Sequence, residues 1–256
     1  MRAIFVATTT HDQRPGKLGF PETPEDQNAY ANFIVNGLLA LGDDAQGVRV
    51  EIGSEVNLLT KDPQKIAVYV RLVNLVKQKM LAAGLKNKLI GPGATTWQDG
   101  NPDHIDALTF INGCIDQDAQ LDGYTIHLYN GTGQPKDLVG KLQQVIVWAK
   151  GLKNAPEVDV TETGYSSAPG LSYAVSKDGQ AQRDVAAIRL YHATGANIII
   201  VYSARDAKDW CIDPTTGQNY DRCSDPALVE QYYGLTDKDR HLKPSGIAVR
   251  DFLHTP

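Results

Sequence analysis

Apolar residues along this chain recur with two periods. Short aliphatic and β-branched runs, bounded by Gly, Pro and polar turns, predict six strands over residues 2–9, 48–53, 88–91, 124–129, 158–162 and 197–202. Longer stretches between them carry helical spacing. In the clearest, residues 64–83, Ile66, Val70, Val73, Val76 and Met80 line one face and Gly84 stops the helix. The others are residues 25–41, 103–116, 138–153 and 180–193, with a shorter helix at 246–253. No low-complexity or linker segment interrupts the series, so a single domain over residues 1–256 is expected.

Strict alternation of strand and helix implies an α/β fold with a parallel sheet, because each parallel connection needs a crossover. A doubly wound sheet carries a Gly-rich phosphate loop after an early strand, and Thr8-Thr9-Thr10-His11-Asp12 offers none. A barrel instead puts its chemistry at the C-terminal ends of several strands. Polar residues stand at those ends: Glu55, His127 with Tyr129, Glu162, and Tyr202 with Ser203. The expectation is a TIM-like (β/α) barrel of about six strands with its helices outside.

Composition narrows the partners. With 42% hydrophobic and 21% charged residues, 256 residues can bury a full core. The net charge is -5 and no Lys or Arg stripe is present, which argues against nucleic acid. The longest apolar run, near residues 197–202, falls far short of the roughly 18 residues of a membrane span, so no membrane partner is expected. The apolar stretch at residues 1–7 is too short for a signal sequence, and localisation stays open between secreted and cytoplasmic. Cys211 and Cys223 bracket a loop that one disulfide could close, the alternative being free thiols; Cys114 sits in an apolar helical pattern and reads as core. Asn130-Gly131-Thr132 matches a glycosylation sequon.

Two segments concentrate the chemistry. In Arg49-Val50-Glu51-Ile52-Gly53-Ser54-Glu55 the period of two puts Arg49, Glu51, Gly53 and Glu55 on one face and the apolar residues on the other. Buried carboxylates need partners, so Arg49 is expected to satisfy Glu51 while Glu55 emerges at the rim. In Val158-Asp159-Val160-Thr161-Glu162-Thr163-Gly164, Glu162 shares a face with Val158 and Val160, and Asp159 is left on the helix side with no account. Two glutamates at the ends of parallel strands suit glycosidic bond cleavage, one as acid and base, the other as nucleophile.

These segments also resemble the clan A glycoside hydrolases, family 39 and its relatives most closely. Glu51, Glu55 and Asn57 are similar to the fourth-strand motif that supplies the acid/base; Thr161, Glu162 and Gly164 resemble the seventh-strand motif that supplies the nucleophile. His127 and Tyr129 match a sixth-strand H-x-Y whose members line the sugar site and hydrogen-bond the nucleophile. Leu89 to Gly93 resembles the fifth strand and its loop, and Tyr233-Gly234-Leu235 with Lys243-Pro244 resembles the region after the eighth. The resemblance implies a retaining mechanism acting on an oligosaccharide or polysaccharide, without cofactor or metal. His104, His192, His241 and His254 show no metal-ligand spacing, and Asp213, Asn219 and Asp221 read as a turn-rich insert.

The departures are specific. Ser54 stands where the family has an Asn that bonds the sugar 2-hydroxyl, and Tyr202 where it has a Trp that floors the site. Trp97 and Trp210 are the candidate replacement platforms, and His11 with Asp12 the candidate binders of substrate hydroxyls. If Glu55 ends strand four, strands one and two have no counterpart, nor has the strand-two Arg, for which Arg14 is the available stand-in. Six strands do not make the eight-stranded closure, so the edges are expected to be covered or paired in a homodimer. The alternative to an enzyme is a disabled carbohydrate-binding or structural relative.

Overall fold

In the computed structural model, which describes residues 3–7, 21–97, 104–206 and 232–255, six strands and six helices alternate among the described residues. They are β1 (Ile4–Ala7), α1 (Pro24–Leu41), β2 (Arg49–Ile52), α2 (Gln64–Ala82), β3 (Leu89–Thr95) and α3 (Ala107–Asp116). There follow β4 (Gly123–Leu128), α4 (Val139–Gly151), β5 (Glu157–Thr163), α5 (Lys177–Thr194), β6 (Ile199–Val201) and α6 (Pro244–His254). The strands form one sheet in the order β1-β2-β3-β4-β5-β6, and each described pairing is parallel. This is the (β/α) TIM-like class that the alternation predicts. Among the described residues no helix is long and apolar enough to cross a membrane.

Local chemistry sets the helix ends. Thr23 caps α1, accepting from the Asp26 N–H, and Pro24 occupies the first turn where a missing donor costs nothing. Asp106 caps α3 by accepting from Leu108 and Thr109, so that helix starts at Ala107, later than the periodicity suggests. Ser176 caps α5 and Gly195, at φ 112°, ends it in a left-handed turn.

The chain divides into two compact units, residues 1–127 with 141–159 and residues 128–140 with 160–256. In the first, Val50, Ile52, Leu89 and Ile90 of the sheet are buried, as are Ile34 and Leu38 of α1, Tyr69, Val73 and Val76 of α2, and Phe110 and Ile111 of α3. The Tyr69 hydroxyl donates to the Ile52 carbonyl at 2.8 Å, and its ring meets Phe110 edge-on at 5.5 Å. Cys114 is buried here as a free thiol, the core residue its pattern predicts.

One expectation is overturned in this unit. Arg49 does not pair with Glu51: its guanidinium lies 2.6 Å from Asp159 and 2.7 Å from Glu157, and Lys88 joins Glu157 at 2.7 Å. Asp159, fully buried, therefore shares the interior with Arg49 rather than facing the helices.

In the second unit α5 packs on α6, and Ala187, Tyr191 and Val249 are buried. Two buried side chains one turn apart on α5 carry acceptors, both Asp184 carboxyl oxygens and Gln180 Oε1, that find no hydrogen-bond partner among the described residues. Burial lifts the Asp184 carboxyl to about 8; the Lys243 ammonium and the Tyr165 backbone N–H, which approaches without a well-formed hydrogen bond, pull the other way. A carboxyl that titrates higher folded than unfolded stabilises fully at low pH and loses that contribution as pH rises from about 4 toward 8. Asp184→Asn is therefore expected to melt above wild type by a margin that grows with pH, worth about 1–3 kcal/mol near pH 8. Thermal melts from about pH 5 to 8.5 check this, and a margin independent of pH would refute it.

Candidate active site

Glu55 is held at the end of β2 by its neighbours. Gly53 adopts φ 81°, and a Cβ there would lie 2.4 Å from Val56 Cγ1, so the turn out of the strand requires glycine. Glu55 itself takes a left-handed φ of 51°, and its N–H donates to the Gly93 carbonyl at 2.9 Å. Asn57 is buried and ties the following 3-10 turn down, donating to the Thr95 and Ile105 carbonyls and accepting from the Thr95 N–H. The Glu55 carboxylate is 35% exposed, and its Oε1 lies 3.3 Å from Nδ1 of His127, which is buried at the end of β4. Gly93, φ 60°, completes this corner: a Cβ there would sit 3.1 Å from Glu51 Oε1 and 3.3 Å from His127 Nε2, crowding both from a backbone conformation that favours glycine.

Glu162 lies near the end of β5 in the second unit. The β5–β6 register shifts between Val160 and Thr163, so the strict alternation that groups Glu162 with Val158 and Val160 does not carry through to it. Its Oε2 accepts from the Tyr129 hydroxyl at 3.0 Å. A phenol donating to a carboxylate favours the ionised form, the state a nucleophile needs. Around Tyr129 stand two more tyrosines: Tyr233 meets it edge-on at 5.7 Å and 81°, and Tyr202 lies 5.7 Å from Tyr233 at 59°. Gly164 makes room for this cluster, since a Cβ would lie 2.4 Å from the Tyr202 carbonyl. The Tyr202–Ser203 peptide is cis.

The sequence candidates fall into three groups. Glu55 with His127, and Glu162 with Tyr129 and Tyr202, are assembled within their units as described. Ser54, half-buried, precedes Glu55 directly, and Trp97, half-buried two residues beyond β3, donates its N–H to Thr95 Oγ1. His11 and Trp210 lie outside the described residues, as do Asp12, Arg14, Asp213, Asn219, Asp221, Cys211 and Cys223. The sequon side chain Asn130 is engaged, donating to the Gln134 carbonyl and accepting from the Tyr165 hydroxyl. Sequence reasoning missed Tyr233 as a site residue. The signal was the adjoining Gly234, whose Cβ would lie 2.0 Å from the Asp206 nitrogen.

A cavity of about 710 Å³ opens elsewhere in the first unit, beside Gln46, Asn87, Lys88 and Glu157. It adjoins the N-terminal ends of β2, β3 and β5, opposite to the end of β2 that presents Glu55, and in barrels that face serves stability. Glu55 Oε1 and His127 Nδ1 lie 3.3 Å apart, in hydrogen-bond contact with each other.

No family model and no curated protein matches the chain. Solved structures do. A glycoside hydrolase family 17 β-1,3-glucanosyltransferase from Rhizomucor miehei superimposes with TM-score 0.53 and 19% identity, covering 88% of this chain and 73% of that one. An active-site mutant of that enzyme, in complex with laminaritriose, gives TM-score 0.52 at the same identity and coverage. A monomeric β-xylosidase from Caulobacter crescentus CB15 gives 0.63 and 15%, covering 98% of this chain and 52% of that one. The GH5_18 enzyme from Streptomyces cattleya in complex with GlcNAc gives 0.62 and 15%, covering 93% and 56%. At these identities the likeness establishes the fold, and this chain spans about half the length of the last two.

Proposed function

We propose that this protein is a retaining glycoside hydrolase in which Glu162 attacks the anomeric carbon and Glu55 first protonates the leaving oxygen, then activates water. The observation that carries the reading is that each glutamate at a strand end has a polar partner from the end of β4, His127 on Glu55 and Tyr129 on Glu162. His127 can exchange a proton with the acid/base, and Tyr129 holds the nucleophile ionised. Residues 1–256 form the catalytic (β/α) barrel domain, similar to that of family 39. Its substrate is an oligosaccharide or polysaccharide, a class supported by the laminaritriose and GlcNAc found in two of the similar structures. Ser54, Trp97 and Tyr202 line the sugar site with His127. The outer strands β1 and β6 expose Phe5, Val6 and Ile200, which a second copy covers in a homodimer.

The test is hydrolysis of a panel of aryl glycosides and glucan oligosaccharides, with the first-formed anomer followed by proton NMR. Retained configuration supports the two-step displacement, and an inverted first product overturns it. Ser54, where the family's sugar-binding Asn would stand, favours one other reading, a disabled binder. Glycan binding without turnover on the whole panel would establish that reading instead.

A further inference from the structure

We propose that Tyr233 is a positioning residue for the nucleophile, a buried ring that fixes Tyr129 against Glu162; the inference rests on the assignment of Glu162 above. Tyr129 reaches Glu162 through one phenolic oxygen, so the quality of that hydrogen bond depends on how the Tyr129 ring is held. The Tyr233 ring, on a residue 4% exposed, packs against it in a T-shaped pair, centroids 5.7 Å apart at 81°. Tyr233 also fills the space beside Gly164, where a Cβ would lie 3.2 Å from its Cδ1. It is thus wedged between Tyr129 and Tyr202, next to the strand end that carries Glu162.

The chain around Tyr233 is fixed by a buried polar apparatus that a mere surface turn does not need. Gln180, fully buried on α5, donates from Nε2 to the Tyr233 carbonyl at 3.0 Å, with longer approaches to the Tyr232 and Gly234 carbonyls. Lys243 donates from Nζ to the Tyr232 carbonyl at 3.0 Å and to Asp206 at 2.9 Å, and Asp206 accepts the Gly234 N–H at 2.8 Å. Burying an ammonium, a carboxylate and an amide is costly unless they are paired and hydrogen-bonded, and these three find their partners in one another or in this short backbone segment. Here they immobilise three consecutive residues, the middle one of which supports Tyr129.

The test reads the charge state of Glu162 directly, by carbon-13 NMR titration of protein labelled at the glutamate side-chain carboxyl carbon, with Glu162→Gln identifying the resonance. Loss of the hydroxyl in Tyr129→Phe is expected to raise the Glu162 midpoint by about one pH unit. Tyr233→Leu is expected to raise it by at least about half as much, whereas Tyr233→Phe, which keeps the ring, leaves it in place. If Tyr233→Leu does not fold, Gln180→Met loosens the same backbone without touching the ring and is expected to shift the midpoint in the same direction. A folded Tyr233→Leu or Gln180→Met protein with the wild-type midpoint overturns the proposal, as does a Tyr129→Phe protein with that midpoint. Shifts as expected in a protein that hydrolyses no glycoside sustain the positioning role and overturn the enzymatic reading alone.

Discussion

Glu162→Gln is expected to lower kcat at least about a thousandfold, roughly 4 kcal/mol of barrier, on any glycoside the wild type hydrolyses. The amide matches the carboxylate in shape and still accepts from the Tyr129 hydroxyl, so affinity for glycan should survive the change. On the proposed mechanism the change removes the anionic oxygen that forms the glycosyl-enzyme bond, an interaction made only along the reaction path, and such losses appear in kcat rather than in KM. On the proposed mechanism Glu55 behaves differently, because its two tasks fall in two steps. A phenol that leaves readily needs no proton, so Glu55→Ala on such a substrate passes the first step and stalls at the second, where water has no base. Added azide, an anion that needs no base, is expected to restore turnover in Glu55→Ala and not in Glu162→Gln. Equal residual activity in both variants, or azide rescue of the Glu162 variant, would break the assignment of roles.

How far the sequence carried these conclusions depends on the range of each interaction. The period-two pattern of β2 correctly places both Arg49 and Glu51 in the interior, because burial follows from alternation within one strand. It cannot name the partner of Arg49, since Asp159 lies 110 residues away, and the isolated pattern made Glu51 look like the nearest solution. The puzzle of Asp159 and the error about Arg49 were one missing contact. In β3 the Gly91-Pro92-Gly93 run reads locally as a turn, yet the strand continues to Thr95. Packing decides it: a Cβ on Gly91 would lie 2.4 Å from the Tyr69 hydroxyl, and Gly93 faces Glu51 and His127. Glu162 is legible as a strand-end carboxylate but not in its facing, because a register shift is a property of two strands and leaves no mark in one. Tyr233 was only half legible for a similar reason: its segment, with Gly234, marks a constrained turn but does not name Tyr129 as the ring it meets.

The Arg49 contact also makes the largest effect on stability predictable. Arg49→Met is expected to destabilise the protein by about 3–5 kcal/mol, because the aliphatic stem stays while Asp159 keeps a buried charge without its guanidinium. For a chain of this size that is a fall in Tm of roughly 10 °C. Arg49→Lys should recover only part of it, since one ammonium cannot reach Asp159 and Glu157 with the two-armed geometry the guanidinium uses. Removing both charges in Arg49→Met with Asp159→Leu should restore much of the loss, because an apolar pair of similar volume carries no desolvation penalty. The same contact governs acid sensitivity. Burial raises the Glu157 carboxyl, but Lys88 and Arg49 outweigh it and hold the group below the ordinary glutamate value. A depressed carboxylate contributes stability above its unfolded value, near 4.3, and loses it as pH falls through the folded one, so wild type is expected to weaken below about pH 4. In Arg49→Met one of the two cations that hold Glu157 down is gone while Lys88 stays, and the acid-induced decline should be shallower. Urea melts of the four proteins at about pH 7 and 3.5 measure both effects; a double variant no more stable than Arg49→Met would place the cost elsewhere than in the loss of the Arg49–Asp159 pair.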